Sequence, residues 1–271
     1  MPPTEGAPSD TAPDPLAGCR PSVPFSSLPV VTRIAGADDV VVEPDGSLWV
    51  DDASRTLVHV SASGSVLQRI IDARAPEGIA VLPDGSLLLA EQGSDRVVRL
   101  EPATQALTTV VQLTPRAGQE GVDGIAYDAE SNTVLVPDAP NGTLLEVPAG
   151  GGALARLASG LGRPVGAALA GDGSILVAAE DARGLFRVPA GGGAAAAISD
   201  VTQGDDVVVA NGVAYVTSLT AHQLIAVDPA SGRAHVLVTG DPMPQGLAVG
   251  PGGNLVLTDS STGTVVVVPA C

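Results

Sequence analysis

Apolar residues in this chain fall in short runs broken by Gly, Asp and Pro, not in helical stripes. The stretch from 78 to 113 shows the pattern: Gly78–Leu82, Ser86–Ala90, Arg96–Leu100 and Leu107–Leu113 are each rich in Val, Leu, Ile or Ala. Runs of this length bounded by turn residues predict β-strands. Asp84-Gly85, between the first two, has the composition of a hairpin turn, where positive φ is required. With no apolar stripe of helical period, a solenoid of helix pairs is excluded.

The same pattern recurs along the chain. Asp39-Val-Val-Val-Glu-Pro-Asp-Gly-Ser-Leu-Trp-Val-Asp51 is echoed by Gly78-Ile-Ala-Val-Leu-Pro-Asp-Gly-Ser-Leu-Leu-Leu-Ala90, and further copies begin at Gly124, Gly166, Asp206 and Gly246. The six copies are spaced by 39, 46, 42, 40 and 40 residues. Four short antiparallel strands every ~40 residues is the signature of a propeller blade. The expected fold is therefore all-β: a six-bladed β-propeller spanning 26–271. The sixth copy stops after three strands, and Leu28-Pro-Val-Val-Thr-Arg33 is a strand-like run left over before the first. It is expected to complete blade six and remove an open edge.

Residues 1–25 differ in composition. Met1 to Pro15 holds five prolines and the acids Glu5, Asp10 and Asp14, which predicts a disordered acidic tail. Leu16-Ala17-Gly18-Cys19 reads like a lipobox, yet neither a basic segment nor an apolar one precedes it. Cys19 and Cys271 are the only cysteines. If the closing strand pairs as expected, their segments meet, and a disulfide there would imply an oxidising, extracytoplasmic compartment, whether secreted, periplasmic or lipid-anchored.

Charge narrows the chemistry. The 13 basic residues against 30 acidic ones give −17, and every base is Arg. Without Lys there is neither Schiff-base chemistry nor a P-loop lysine. An acidic chain lacking basic clusters is a poor nucleic-acid binder, so no nucleic acid is expected. No apolar run reaches the ~18–20 residues of a membrane span. The glycine runs 150–152 and 191–193 fit no phosphate loop and read as turns, and no Gly-x-Ser-x-Gly elbow occurs. A monomer is expected.

The residue preceding each copy's first Gly or Asp should line the mouth of the central channel. These are Asp38, Glu77, Asp123, Val165, Asp205 and Gln245. Carboxylates this close raise one another's proton affinity, and a hard divalent cation such as Ca²⁺ relieves the repulsion. Asp38, Glu77, Asp123, Asp205 and Gln245 are thus candidate metal ligands, and the alternative is a solvated acidic funnel. Asp52, Glu91, Asp138 and Asp259 close second strands and read as turn-stabilising. His59, His222 and His235 fall away from the channel.

The segments Pro-Glu-Gly-Ile-Ala-Val-Leu-Pro-Asp-Gly-Ser-Leu-Leu-Leu-Ala-Glu (76–91) and Arg-Pro-Val-Gly-Ala-Ala-Leu-Ala-Gly-Asp-Gly-Ser-Ile-Leu-Val-Ala (163–178) resemble two related groups. One is the NHL-repeat proteins. The other is the senescence-marker-protein/gluconolactonase/strictosidine-synthase-like superfamily. The latter resemblance implies one divalent metal, usually Ca²⁺, at the channel mouth, with a carboxylate as base or nucleophile on a lactone or phosphoester. Glu77 and Asp205 would stand for the family's Glu and Asp. Val165 replaces the Asn of its Arg-Pro-Asn-Gly motif, and Asp123 fills the other Asn position. Streptogramin lyases, which are similar propellers, rely on a His that this channel lacks. Two functions follow: a metal-dependent lactone or ester hydrolase with Asp205 and Asp123 as catalytic residues, or a non-catalytic propeller binding a protein or small ligand.

Overall fold

The computed structural model describes residues 14–52, 55–72 and 74–271; the stretch 1–13 of the expected tail lies outside them. The described residues form a six-bladed β-propeller with four antiparallel strands per blade. From axis to rim, blade one runs Val40–Val42, Leu48–Asp51, Thr56–Val60 and Val66–Ile71, and blade two Pro76–Val81, Leu87–Glu91, Arg96–Glu101 and Ala106–Gln112. Blade three comprises Ala126–Asp128, Thr133–Asp138, Thr143–Pro148 and Ala155–Ser159; blade four Pro164–Leu169, Ile175–Ala179, Phe186–Val188 and Ala196–Ala197. Blade five runs Gly204–Ala210, Val213–Ser218, Gln223–Val227 and Ala234–Thr239. Blade six takes Pro244–Val249, Leu255–Asp259 and Thr264–Val268 and, as expected, finishes with Val30–Arg33.

The continuous apolar runs have a simple cause. Each second strand is sandwiched between two neighbouring blades, so both its faces are buried. In blade two, Leu87 and Leu89 pack with Trp49 and Leu57 of blade one. Leu88 and Ala90, between them in sequence, pack with Val134 and Val136 of blade three. Likewise Tyr215 faces blade six while Ala214 and Val216 face blade four. Six such seams replace a single core. Fully burying one of these Leu side chains contributes about 1.5–3 kcal/mol.

The hairpins between first and second strands are also legible. Asp45, Asp84 and Asp172 each accept the N–H and the hydroxyl of the Ser two residues on, and Gly46, Gly85 and Gly173 take φ of 85°, 82° and 78° between them.

Ring closure joins the two ends of the chain. Val30 and Arg33 pair with Val266 and Thr264, and Cys19 is disulfide-bonded to Cys271. The Cys19 sulphur is therefore not available for acylation, and the lipobox-like segment is a 3-10 turn over Pro15–Gly18. The expectation of a disordered tail up to residue 25 is corrected for 14–25. Val23–Pro24 adds a parallel fifth strand to blade five against Val238 and Thr239. Asp14 pairs with Arg233, the Arg20 carbonyl meets His235 Nε2 at 2.8 Å, and Phe25 is buried in the seam between blades five and six. Proline-rich composition hid this docking, because one short bridge and several anchors hold the segment instead of a long ladder. No helix among the described residues is long and apolar enough to cross a membrane.

Candidate functional site

The inner strands converge because small residues let them. A Cβ on Gly78, Gly124, Gly166 or Gly246 would come closer than 3.0 Å to the next blade's carbonyl at Asp123, Val165, Asp205 or Asp38. Gly78 and Gly246 also donate their N–H groups to the Asp123 and Asp38 carbonyls at 3.1 Å. The residue just before each glycine is thereby carried to the axis.

A second device sets the entry angle. Gly36, Ala75, Arg163 and Gln203, each two residues before a mouth position, have positive φ. The carbonyls of Ala75, Arg163 and Gln203 are held by the N–H of Gln92, Glu180 and Leu219, the residues that follow the second strands. Three non-glycine residues thus keep a conformation that costs energy and persists only where the surroundings enforce it.

Glu77, Asp123 and Asp205 each have another of the mouth carboxyls among the charges acting on them. Burial, then Asp123 and Asp38, pushes Glu77 up to about 10. Burial followed by Asp38 raises Asp123 to about 8, against the pull of Arg163. Burial with Glu180 and Asp206 raises Asp38 to about 7, and burial with Asp123 and Asp38 lifts Asp205 well above the ordinary range. Glu77 Oε2 accepts a 2.5 Å bond from Gln92 Nε2. No hydrogen bond holds the Asp205 carboxyl among the described residues. Val165 is buried and leaves a gap in the polar ring.

Sequence reasoning missed a second tier. Asp39 and Asp206 occupy the repeat's glycine position in blades one and five, and their carboxyls join the same network. Asp206 accepts the N–H of Val207 at 2.7 Å and of Leu247, in blade six, at 2.8 Å. Arg163, the base nearest to a mouth position in the sequence, supplies a cation to the site. Arg163 Nη2 lies 3.1 Å from both Asp123 and Glu120, while its Nε bonds Glu180. The Asp-for-Gly exchanges were visible as a signal, whereas the Arg163 contacts depend on a neighbouring blade.

The other acids are structural, as expected. Glu91 pairs with the Nε and Nη2 of Arg96, one carboxylate oxygen to each. Asp138 binds Asn141, Asp259 binds Thr262, and Asp52 accepts the N–H groups of Arg55 and Thr56. His59 stacks on Trp49 with ring centroids 4.4 Å apart.

The donors suit a hard cation by chemistry: all are oxygens, and the Gln245 Oε1 is a buried acceptor without a partner. Among the described residues no three His, Cys, Asp or Glu side chains gather as a ready-made ligand set. A cation here would therefore lean on amide and water oxygens beside the carboxylates, as Ca²⁺ commonly does.

No protein-family model matches the chain, and no curated protein matches it by sequence. Solved structures do. A gluconolactonase from Xanthomonas campestris superposes with a TM-score of 0.73 at 18% identity, covering 89% of this chain and 88% of that one. Regucalcin from Agrobacterium tumefaciens, a calcium-binding protein, gives 0.74 at 17% identity over 93% and 97%. Virginiamycin B lyase from Staphylococcus aureus gives 0.67 at 12% identity over 88% and 82%. At such identities the likeness concerns architecture, and the architecture it shares with this chain is the six-bladed propeller.

Proposed function

We propose that the acidic mouth is a hydrolytic site for a lactone or ester, and that the protein works outside the cytoplasm. The observation that carries this reading is the pairing of two carboxyls in different settings. Asp123 is fixed by Arg163, whereas Asp205, two blades on, has no hydrogen-bond partner among the described residues. Groups whose environments differ in this way divide acid and base roles.

A divalent cation held by Asp38, Glu77 and the Gln245 carbonyl, with Asp123 and Asp205 beside it, would polarise the substrate carbonyl when bound. With the cation's charge offsetting the repulsion that, after burial, raises Asp205, its carboxylate takes the proton from the attacking water. Asp123, whose proton affinity sits near neutrality, returns a proton to the departing alkoxide oxygen. Arg163 keeps Asp123 in place and tempers the repulsion among the acids. Gln92 orients Glu77. The Cys19–Cys271 disulfide agrees with an oxidising compartment.

The test is hydrolysis of aryl esters and of γ- and δ-lactones, with EDTA and with Ca²⁺ restored. Asp205→Asn should remove activity while leaving the fold intact, and Ca²⁺ should raise the melting temperature. Absence of both hydrolysis and a Ca²⁺-dependent shift overturns the reading.

A second reading, a non-catalytic propeller that binds a protein, draws on one observation. The rim strand of blade one exposes Val66, Leu67 and Ile71, the last at 77%. Single apolar residues on a surface are ordinary, but several on one open sheet edge suit a partner.

A further inference from the structure

Beneath the acidic mouth the inner strands line an open cavity of about 630 Å³, within the ~300–1,000 Å³ of small-molecule sites. Val42, Val81, Ile125, Leu169, Val209 and Val249, one from each blade, line its walls. Its charged lining residues are all carboxylates: Asp39, Asp206 and Glu43. Asp39 directly precedes the blade-one inner strand and Asp206 is the third residue of the blade-five one, both at the mouth end. Glu43 lies four residues beyond Asp39, at the far end of the blade-one inner strand. At ~3.3 Å per strand residue, that places the two ends about 13 Å apart.

Each end is fixed. Asp206 is gripped by the N–H groups of Val207 and Leu247. Glu43 Oε2 is held by the Ser47 hydroxyl at 2.5 Å and faces His59 Nε2 at 3.0 Å. Asp39 has no side-chain hydrogen bond among the described residues, so its carboxyl is open to a donor.

This arrangement selects its ligand by charge. An anion meets carboxylates at both ends. A neutral chain satisfies the walls but leaves the Asp39 carboxyl without a donor, which is costly. A monoamine answers one end only. We propose that the cavity binds a linear aliphatic diamine or polyamine. One ammonium sits against Asp39 and Asp206, the other against Glu43, and the methylene chain lies along the Val, Ile and Leu walls. This site is separate from the hydrolytic reading and needs no metal.

Calorimetric titration of the oxidised full chain in EDTA, at neutral pH, tests it with four probes of one length: octanediamine, octylamine, octanediol and octanedioate. The diamine should bind about tenfold tighter than octylamine, the size of one further charged contact, and the diol and dioate should not bind. Glu43→Gln keeps the bond to Ser47 and should bring the diamine down to the octylamine level while leaving octylamine unchanged. Val249→Arg, at a lining position that is 37% exposed, should abolish diamine binding. The proposal is overturned if the diamine does not bind, if the diol binds equally well, or if Glu43→Gln leaves the diamine-to-monoamine ratio intact. Because the readout is binding, its failure leaves lactone hydrolysis untouched, and loss of hydrolysis leaves the binding result standing.

Discussion

Replacing Asp241 by Asn should stabilise this protein, and should do so more as the pH rises. Asp241 follows the rim strand of blade five, and Asp259 closes the second strand of blade six; both are fully buried. The Met243 N–H donates to Asp241 Oδ1 at 3.2 Å and to Asp259 Oδ2 at 2.7 Å. Asp241 Oδ2 is a buried oxygen with no partner unless it carries a proton. Burial, and then the hydrogen bond to Asp259 and its charge, raises Asp241 to about 9. Burial works against the charge of Asp259, but bonds from Asp241, Thr262 and the Met243 backbone hold it below the ordinary range. The seam is thus closed by a carboxylic acid donating to a carboxylate.

In the unfolded chain Asp241 titrates near ~3.9, so at pH 7 the native state must take up a proton across about three pH units. At about 1.36 kcal/mol per unit this costs up to about 4 kcal/mol. The stabilisation from the acid form is complete below pH ~4 and is lost as the pH rises through about 9. An Asn amide makes the same donation without a proton. Asp241→Asn should therefore match wild type near pH 4 and exceed it by up to about 4 kcal/mol at pH 7. Urea unfolding of the oxidised proteins across this range measures the difference, in which the channel carboxyls cancel. A gap that stays constant with pH, or a variant weaker throughout, would refute the acid–carboxylate account.

Other outcomes are expected elsewhere. Replacing both cysteines by Ser should lower stability by up to about 5 kcal/mol, since the disulfide spans 252 residues and closes a very long loop; chemical denaturation with and without reductant reads this. Gly246→Ala forces a methyl against the Asp38 carbonyl and the Asp39 backbone, and should cost about 1–3 kcal/mol, visible as a lower melting temperature. Arg163→Gln removes the cation beside Asp123. The alkaline limb of any hydrolytic pH profile, set by loss of the Asp123 proton, should then move to higher pH, whereas a purely structural Arg163 would change the melting temperature alone.

Much of this molecule is written locally in its chain. The Asp-Gly-Ser hairpins, the doubly buried second strands and the leftover Leu28–Arg33 run each follow from turn chemistry and period, so blades and closure were readable. The mouth positions followed from the repeat itself. What escaped were features made between blades. The docked segment 14–25 has no strand pattern, Arg163 meets Glu120 and Asp123 across a seam, and Asp39 and Asp206 matter only once six inner strands share an axis. The second-strand acids illustrate the boundary: Asp138 and Asp259 were rightly read as turn-stabilising, but the acid facing Asp259 comes from the preceding blade.

The joining of Cys19 to Cys271 also imposes an order in time. During synthesis five blades can stack while the sixth still lacks its strands, and Cys19 must stay a free thiol until a partner 252 residues later has been made. Oxidation of this pair therefore records that the circle is complete. A thiol-reactive label applied to emerging chains would mark the unfinished ones and pass over the finished.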